Sequence, residues 1–206
     1  MIAFRRLFFA LAAIALPATL YAAAPPNPTG SPAASLAGQL LIATPAMRDP
    51  RFEHAVILMV RHNNEGAFGI VINRPVGERS LASLLAAFGE NAAGADGNVR
   101  IFLGGPVQPE VGFVIHSTDY RRPDTIAVDA HVAVTSSPKV LRDIADKMGP
   151  AKSLIVFGYA GWAPGQLEGE LARNVWYTAP QDPALVFDDD RDKVWDHATA
   201  HRIQDL

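Results

Sequence analysis

Glu168 and Glu170 stand two residues apart in the stretch Ser153–Tyr177, SLIVFGYAGWAPGQLEGELARNVWY. Paired carboxylates can share general acid and general base duties, but only when both face one substrate. Residues two apart on a helix point about 200° away from each other, so these two cannot act as a pair. Glu168, near the helix start and close to Trp162 and Gln166, is the better candidate for a site residue. Its plainer role is to satisfy free N–H groups of the first turn. His62 and His116 each end an apolar run, and imidazole titrates near neutral pH without much tuning. Either could partner Glu168 as an acid–base couple, and either could simply be hydrogen-bonded to a loop carbonyl. A Glu168 carboxyl oxygen within roughly 7 Å of an imidazole nitrogen across an open pocket would favour catalysis. A Glu168 occupied by backbone N–H groups would favour structure.

Other residues invite weaker chemistry. Trp162, with glycine at 161, is a binding wall or a hydrophobic plug. Asp49 and Arg74 have the charges for an ion pair pinning two loops together. His197 and His201 are four apart, the spacing at which a helix offers two imidazoles to one metal. No third ligand is specified, so a solvated face is expected and no metal is assigned. The run Asp188–Asp192 fails as a calcium loop, because Lys193 occupies the glycine place and Thr199 the closing glutamate. Gly104-Gly105-Pro106-Val107 is a poor phosphate cradle, since proline removes an N–H donor, and reads as a sharp turn. No nucleophile elbow, Walker loop, dinucleotide fingerprint or H-E-x-x-H occurs, and no cofactor is expected.

The elements that position these groups follow from periodicity. Leu154–Phe157 reads as a strand closed by Gly158, and Tyr159–Pro164 as a loop. Gln166–Arg173 reads as a helix with Leu167 and Leu171 on one face and Gln166 and Glu170 on another. Asn174 stops it before Val175–Tyr177. Upstream, Gln39–Thr44, His54–Val60 and Ala67–Asn73 read as strands, the second apolar on both faces and so covered on both. Asn63–Gly66 makes the hairpin turn. Ser80 caps a helix whose Leu81, Leu84, Leu85 and Phe88 form a stripe. Val99–Leu103, Val111–His116 and Val132–Thr135 are further strands. A helix after Ser137 carries Val140, Leu141, Ile144 and Met148, and a last helix covers Asp188–Arg202. Leu41, Val56, Leu58, Ile70, Ile72, Leu103, Val114, Ile155 and Phe157 are expected to share one core.

Of 206 residues, 49% are hydrophobic and 19% charged, which suits one globular domain with a real core. The formal charge of −3 lacks the basic footprint of a sequence-independent nucleic-acid binder. Cysteine is absent, excluding disulfides, thiolate metal sites and a cysteine nucleophile. Arg5 and Arg6, the apolar run Leu7–Leu16 and the small residues Ala22–Ala24 make the three-part pattern of a secretory signal peptide over 1–24. Losing Arg5 and Arg6 with it would take the formal charge from −3 to −5. Residues 25–37, rich in Pro, Ser and Ala, read as a disordered spacer, and 38–206 as the domain. The pattern places the protein in the periplasm or outside the cell, with no membrane contact after cleavage. An uncleaved leader would instead anchor it.

Four separated stretches, LLIATPAMRDPRFEHAVILMVRHNNEGAFGIVINRP (40–75), FLGGPV (102–107), GFVIH (112–116) and GYAGWAPGQLEGELARNVW (158–176), resemble the AlgH/YqgE family of bacterial proteins in order and content. The resemblance spans about Gly38 to His197. It implies an α+β fold whose mixed sheet is strongly curled into a pseudo-barrel with flanking helices. It implies no agreed activity: the family takes its name from an association with regulation of alginate synthesis in one lineage. Its members are mostly cytoplasmic, a third possible address for this chain.

Two functional readings remain open at this level. In the first, a non-enzymatic regulatory module binds a small ligand or a protein partner. Asn73, Arg74, Gly161, Trp162, Gly165, Gln166 and Glu168 line its pocket, since polar residues at strand ends of a curled sheet face its mouth. In the second, an acid–base enzyme of hydrolase type uses Glu168 with His116 or His62.

Overall fold

The computed structural model describes residues 35–187 and 190–203. The leader expected over 1–24 and most of the spacer, together with Asp188 and Asp189, lie outside the described residues.

The chain runs β1 (Gln39–Ala43), β2 (Val56–Asn63), β3 (Gly66–Val71), β4 (Pro75–Ser80), α1 (Leu81–Ala87), β5 (Asn98–Leu103), β6 (Val107–Ser117), β7 (Thr125–Ala127) and β8 (Val132–Thr135). It continues through α2 (Lys139–Ala145), β9 (Ser153–Trp162), α3 (Gln166–Ala172), β10 (Trp176–Pro180), α4 (Pro183–Phe187) and α5 (Val194–Ala200). The strands form one curled sheet in the order β10-β1-β2-β3-β9-β6-β8-β7, with β5 attached to β9 and β4 to β5. Every pairing is antiparallel except β5 with β9, so the sheet is mixed and the fold α+β, as the resemblance implied.

β9 organises the rest. Its first half, Ile155–Phe157, pairs in parallel with β5, and its second half, Ala160–Trp162, pairs with β3. Between them Gly158 adopts φ 73°, and β6 skips register opposite it. The expected strand end at Gly158 is therefore a bulge inside one long strand, and Tyr159–Trp162 is not a loop. The backbone at 105 comes so close to this bulge that a Cβ on Gly105 would lie 2.2 Å from the Tyr159 carbonyl oxygen. Only glycine fits, and the glycine-rich turn is thereby committed to packing.

The expected single core is three clusters. Alternation along β2 sends Val56, Leu58 and Val60 into the barrel interior with Ile70, Ile72 and Phe102. Ile57 and Met59 face the other side with Leu41, Trp162, Leu167 and Trp176. β2 is thus covered on both faces, as its composition required. Val114 and Ile155 belong to a third cluster, under α1 and α2, with Phe157 packed against it. Leu103 is 37% exposed and Met148 70%, so neither is core. Ser80 does cap α1, accepting from the Ser83 N–H. The last helix is shorter than expected, beginning at Val194. β4, β7 and α4 carry no strong periodicity; β4, PVGERS, is exposed along its whole length and is a strand only because β5 pairs with it.

Candidate functional site

Helix α3 is the hinge of the site. Gly165 precedes it at φ 76°, and Asn174 ends it at φ 55°. Buried Leu167 fixes its rotation against the sheet. That rotation sends Glu168 and Glu170 to different neighbours.

Glu168 meets His62 at the end of β2. The Leu36 N–H donates to His62 Nδ1 at 3.1 Å, so the ring proton sits on Nε2, which donates to Glu168 Oε1 at 2.8 Å. The imidazole is 5% exposed and the carboxylate 41%. A hydrogen bond from its own backbone N–H, then the bond from His62, holds Glu168 below the usual carboxylate range. Both ring nitrogens of His62 are engaged, and the couple is in direct contact rather than poised across a gap. His116 does not join it. Fully buried at the far end of β6, its Nδ1–H donates to the Ser117 carbonyl and its Nε2 accepts from Thr135 Oγ1, both at 2.9 Å. Burial pushes its pKa down, keeping it neutral.

Glu170 faces a cleft of about 640 Å³ between α3, the 46–52 loop and the Pro106 turn. Its Oε2 accepts from the indoles of Trp162 at 2.9 Å and Trp176 at 2.7 Å, and its Oε1 accepts from Gln166 Nε2 at 3.0 Å. Trp176 stands edge-on to Trp162 and to Phe52, with ring centroids 6.1 and 5.7 Å apart. This carboxylate fixes an aromatic wall. Opposite charge comes from Arg48, Arg51 and Arg173. Arg51 chelates Asp49, with Nε donating to Oδ1 at 3.0 Å and Nη2 to Oδ2 at 2.7 Å. That bond holds the Asp49 carboxyl below its ordinary range.

Of the seven residues expected to line one pocket, Gly161, Trp162 and Gln166 line this cleft. Glu168 and Gly165 do not. Asn73 and Arg74 line a separate cavity of about 330 Å³, with His54 and Trp195. Both bind backbone there. Asn73 accepts from the Val56 N–H at 2.9 Å and donates to the His54 carbonyl at 2.8 Å. Arg74 donates to the carbonyls of Arg51 and of Glu53, the latter at 2.6 Å. The expected Asp49–Arg74 pair is replaced by Asp49–Arg51, because Arg74 reaches carbonyls of the same loop first. It still pins the two loops together. Trp162 is buried, a wall rather than a loop residue. His201 Nδ1 donates to the His197 carbonyl at 2.7 Å, which occupies one imidazole of that pair. Among the described residues no three His, Asp or Glu side chains converge as a metal centre would need.

Sequence reasoning missed Glu170, Arg48 and Arg173. The signal for Glu170 was its shared helix face with Gln166. For Arg48 it was the run MRDPRF, read only as a connection.

Residues 40–205 match the profile of the AlgH-like family. A UPF0301 protein of Methylococcus capsulatus is 44% identical over 168 residues, covering 82% of this chain and 92% of that one. One from Rhodospirillum rubrum is 46% identical over 153 residues, covering 74% and 80%. The solution structure of AlgH from Pseudomonas aeruginosa superposes with a TM-score of 0.69 at 41% identity, over 84% of this chain and 91% of that one. A crystal structure of a Corynebacterium diphtheriae protein, 20% identical with a TM-score of 0.60, shares the fold over 77% and 82%. Profile, relatives and fold agree over nearly the whole described domain, and the chain belongs to the AlgH-like family.

Proposed function

We propose that this protein is a non-enzymatic binding module that holds a ligand in the cleft under α3. One observation carries the reading: the cleft has binding surface but no free chemistry. Its carboxylates are engaged, Glu170 by three N–H donors and Asp49 by Arg51. Among the described residues no Ser, Thr, His or Lys side chain lines it, so neither a nucleophile nor a general base faces a ligand there. A cleft of about 640 Å³ with an aromatic wall has the size and lining of a small-molecule site. The acid–base alternative draws less support, since Glu168 and His62 bond to each other away from this cleft.

A thermal-shift screen of small metabolites on the whole chain tests the reading, because a ligand of the folded state raises Tm. Each hit is repeated on Ala46→Trp, which fills the cleft from its exposed rim. Stabilisation should vanish in that variant. Stabilisation that survives it moves the site elsewhere.

The Arg5-Arg6 charge, the apolar run and Ala22–Ala24 support a periplasmic or secreted address for this module. Mass spectrometry of the native protein should find an N-terminus between Ala23 and Ser35; an intact Met1 in the soluble cytosolic fraction overturns that address.

A further inference from the structure

The chemistry of the cleft also restricts what it can hold. Five charged side chains line it: Arg48, Arg51 and Arg173 against Asp49 and Glu170, a surplus of one positive charge on a chain whose formal charge is −3. The two acids are unavailable to a ligand. Asp49 is chelated by Arg51, and Glu170 takes both indole N–H groups and the Gln166 amide. Gln166 Oε1 in turn accepts from the Ala163 N–H at 3.1 Å. What stays open is the guanidinium of Arg48 and that of Arg173. Both are exposed, and among the described residues neither has a side-chain hydrogen bond or ion pair. Guanidinium is the side chain best matched to planar or tetrahedral oxyanions, offering several donors in a fixed fork.

The rest of the lining is apolar. Phe52 and Val175, both partly exposed, present the open part of that wall, and Trp162 and Trp176, 7% and 4% exposed, back it with their indole N–H groups turned to Glu170. The volume far exceeds a bare oxyanion. An inorganic ion would leave the exposed faces of Phe52 and Val175 wet, whereas a ring-sized body would remove them from water.

We infer that the cleft binds a small organic anion, a phosphate, sulfonate or carboxylate carried on an apolar ring-sized body, with Arg48 and Arg173 holding the charge. The inference rests on the binding reading above and names its ligand class.

The test uses four probes on the uniformly ¹⁵N-labelled whole chain, titrated to millimolar concentration: phenyl phosphate, phenol, inorganic phosphate and benzylammonium. The indole N–H signals of Trp162 and Trp176 report the cleft. Trp195, whose indole donates to the Ala43 carbonyl and which lines the other cavity, is the internal control. Phenyl phosphate should shift the two cleft signals saturably and bind at least about tenfold tighter than the other three probes. Arg48→Gln and Arg173→Gln should each weaken it about 10- to 100-fold, the loss of a charge-assisted hydrogen bond, with Tm unchanged. Phenol or benzylammonium binding as tightly overturns the anion requirement, and inorganic phosphate binding as tightly overturns the apolar body. Undiminished phenyl phosphate affinity in the double variant overturns the role of the arginines. Each of these results leaves the cleft itself standing as a site. If no probe of any charge moves either cleft signal, the inference and the binding reading fall together.

Discussion

Glu168 and Glu170 are the same residue type, two residues apart, on a helix of seven residues, and they live in different chemical worlds. Glu168 meets a single partner, the His62 imidazole, and 41% of its side chain remains in water. Glu170 receives three N–H groups, two from indoles that are 7% and 4% exposed. The first ties α3 to the end of β2, where Leu36 enters the domain. The second holds β9 to β10 through their tryptophans and so sets the cleft wall. A carboxylate's role here is decided by which side of the helix it occupies, and Leu167, packed into the sheet, decides that. Helix geometry then does the separation, at about 200° for a two-residue step.

Removing Glu170 is the sharpest way to break the contrast. Glu170→Leu leaves two buried indole donors without an acceptor, and each orphaned donor costs about 1–3 kcal/mol, so stability should fall by about 2–6 kcal/mol. Urea denaturation measures it. A loss no greater than that of Glu168→Gln would mean the two carboxylates are equivalent. Glu170→Gln keeps one oxygen to accept from the two indoles, loses the charge and the oxygen that accepts from Gln166, and should cost about 1–2 kcal/mol. The Trp162 and Trp176 indole signals should stay close to their wild-type positions in this variant and scatter in Glu170→Leu.

Glu168→Gln sits at the small end, at less than about 1 kcal/mol, because its partner bond is solvent-screened and glutamine can still accept from His62. A markedly larger drop would show Glu168 to be a structural support like Glu170. The smallest effect is its pH dependence. Glu168 has a folded pKa below its ordinary 4.5, so the stability it contributes is complete above that value and is lost as pH falls through the lower, folded one. The difference in unfolding free energy between wild type and Glu168→Gln should therefore be flat above about pH 5 and shrink in acid. A difference that grows in acid would reverse the assignment.

Much of the fold was legible. The unbroken Val, Ile, Leu and Met run of β2 required cover on both faces, and Ser80 and Asn174 marked helix ends through their own local hydrogen bonding and backbone preference. β4 was not legible, since its exposed PVGERS has no apolar period and becomes a strand only through β5. The bulge at Gly158 reads as an end in the sequence, because a glycine after an apolar run looks the same whether the strand stops or continues past an irregularity in its pairing.

The sequence alone determined the family, the presence of strands β1, β2, β3, β5 and β8 and of helices α1, α2 and α3, and that Glu168 and Glu170 could not work together. Those are local or pattern properties, written in spacing. Only the tertiary structure decided that Glu168 belongs to His62 and Glu170 to two tryptophans, and that Asn73 and Arg74 pin a loop beside another cavity. It also decided that Arg48 and Arg173, 125 positions apart, line one cleft. Long-range pairings of this kind depend on how a curled sheet brings distant ends to one rim, and no periodicity in a single chain encodes which ends those are.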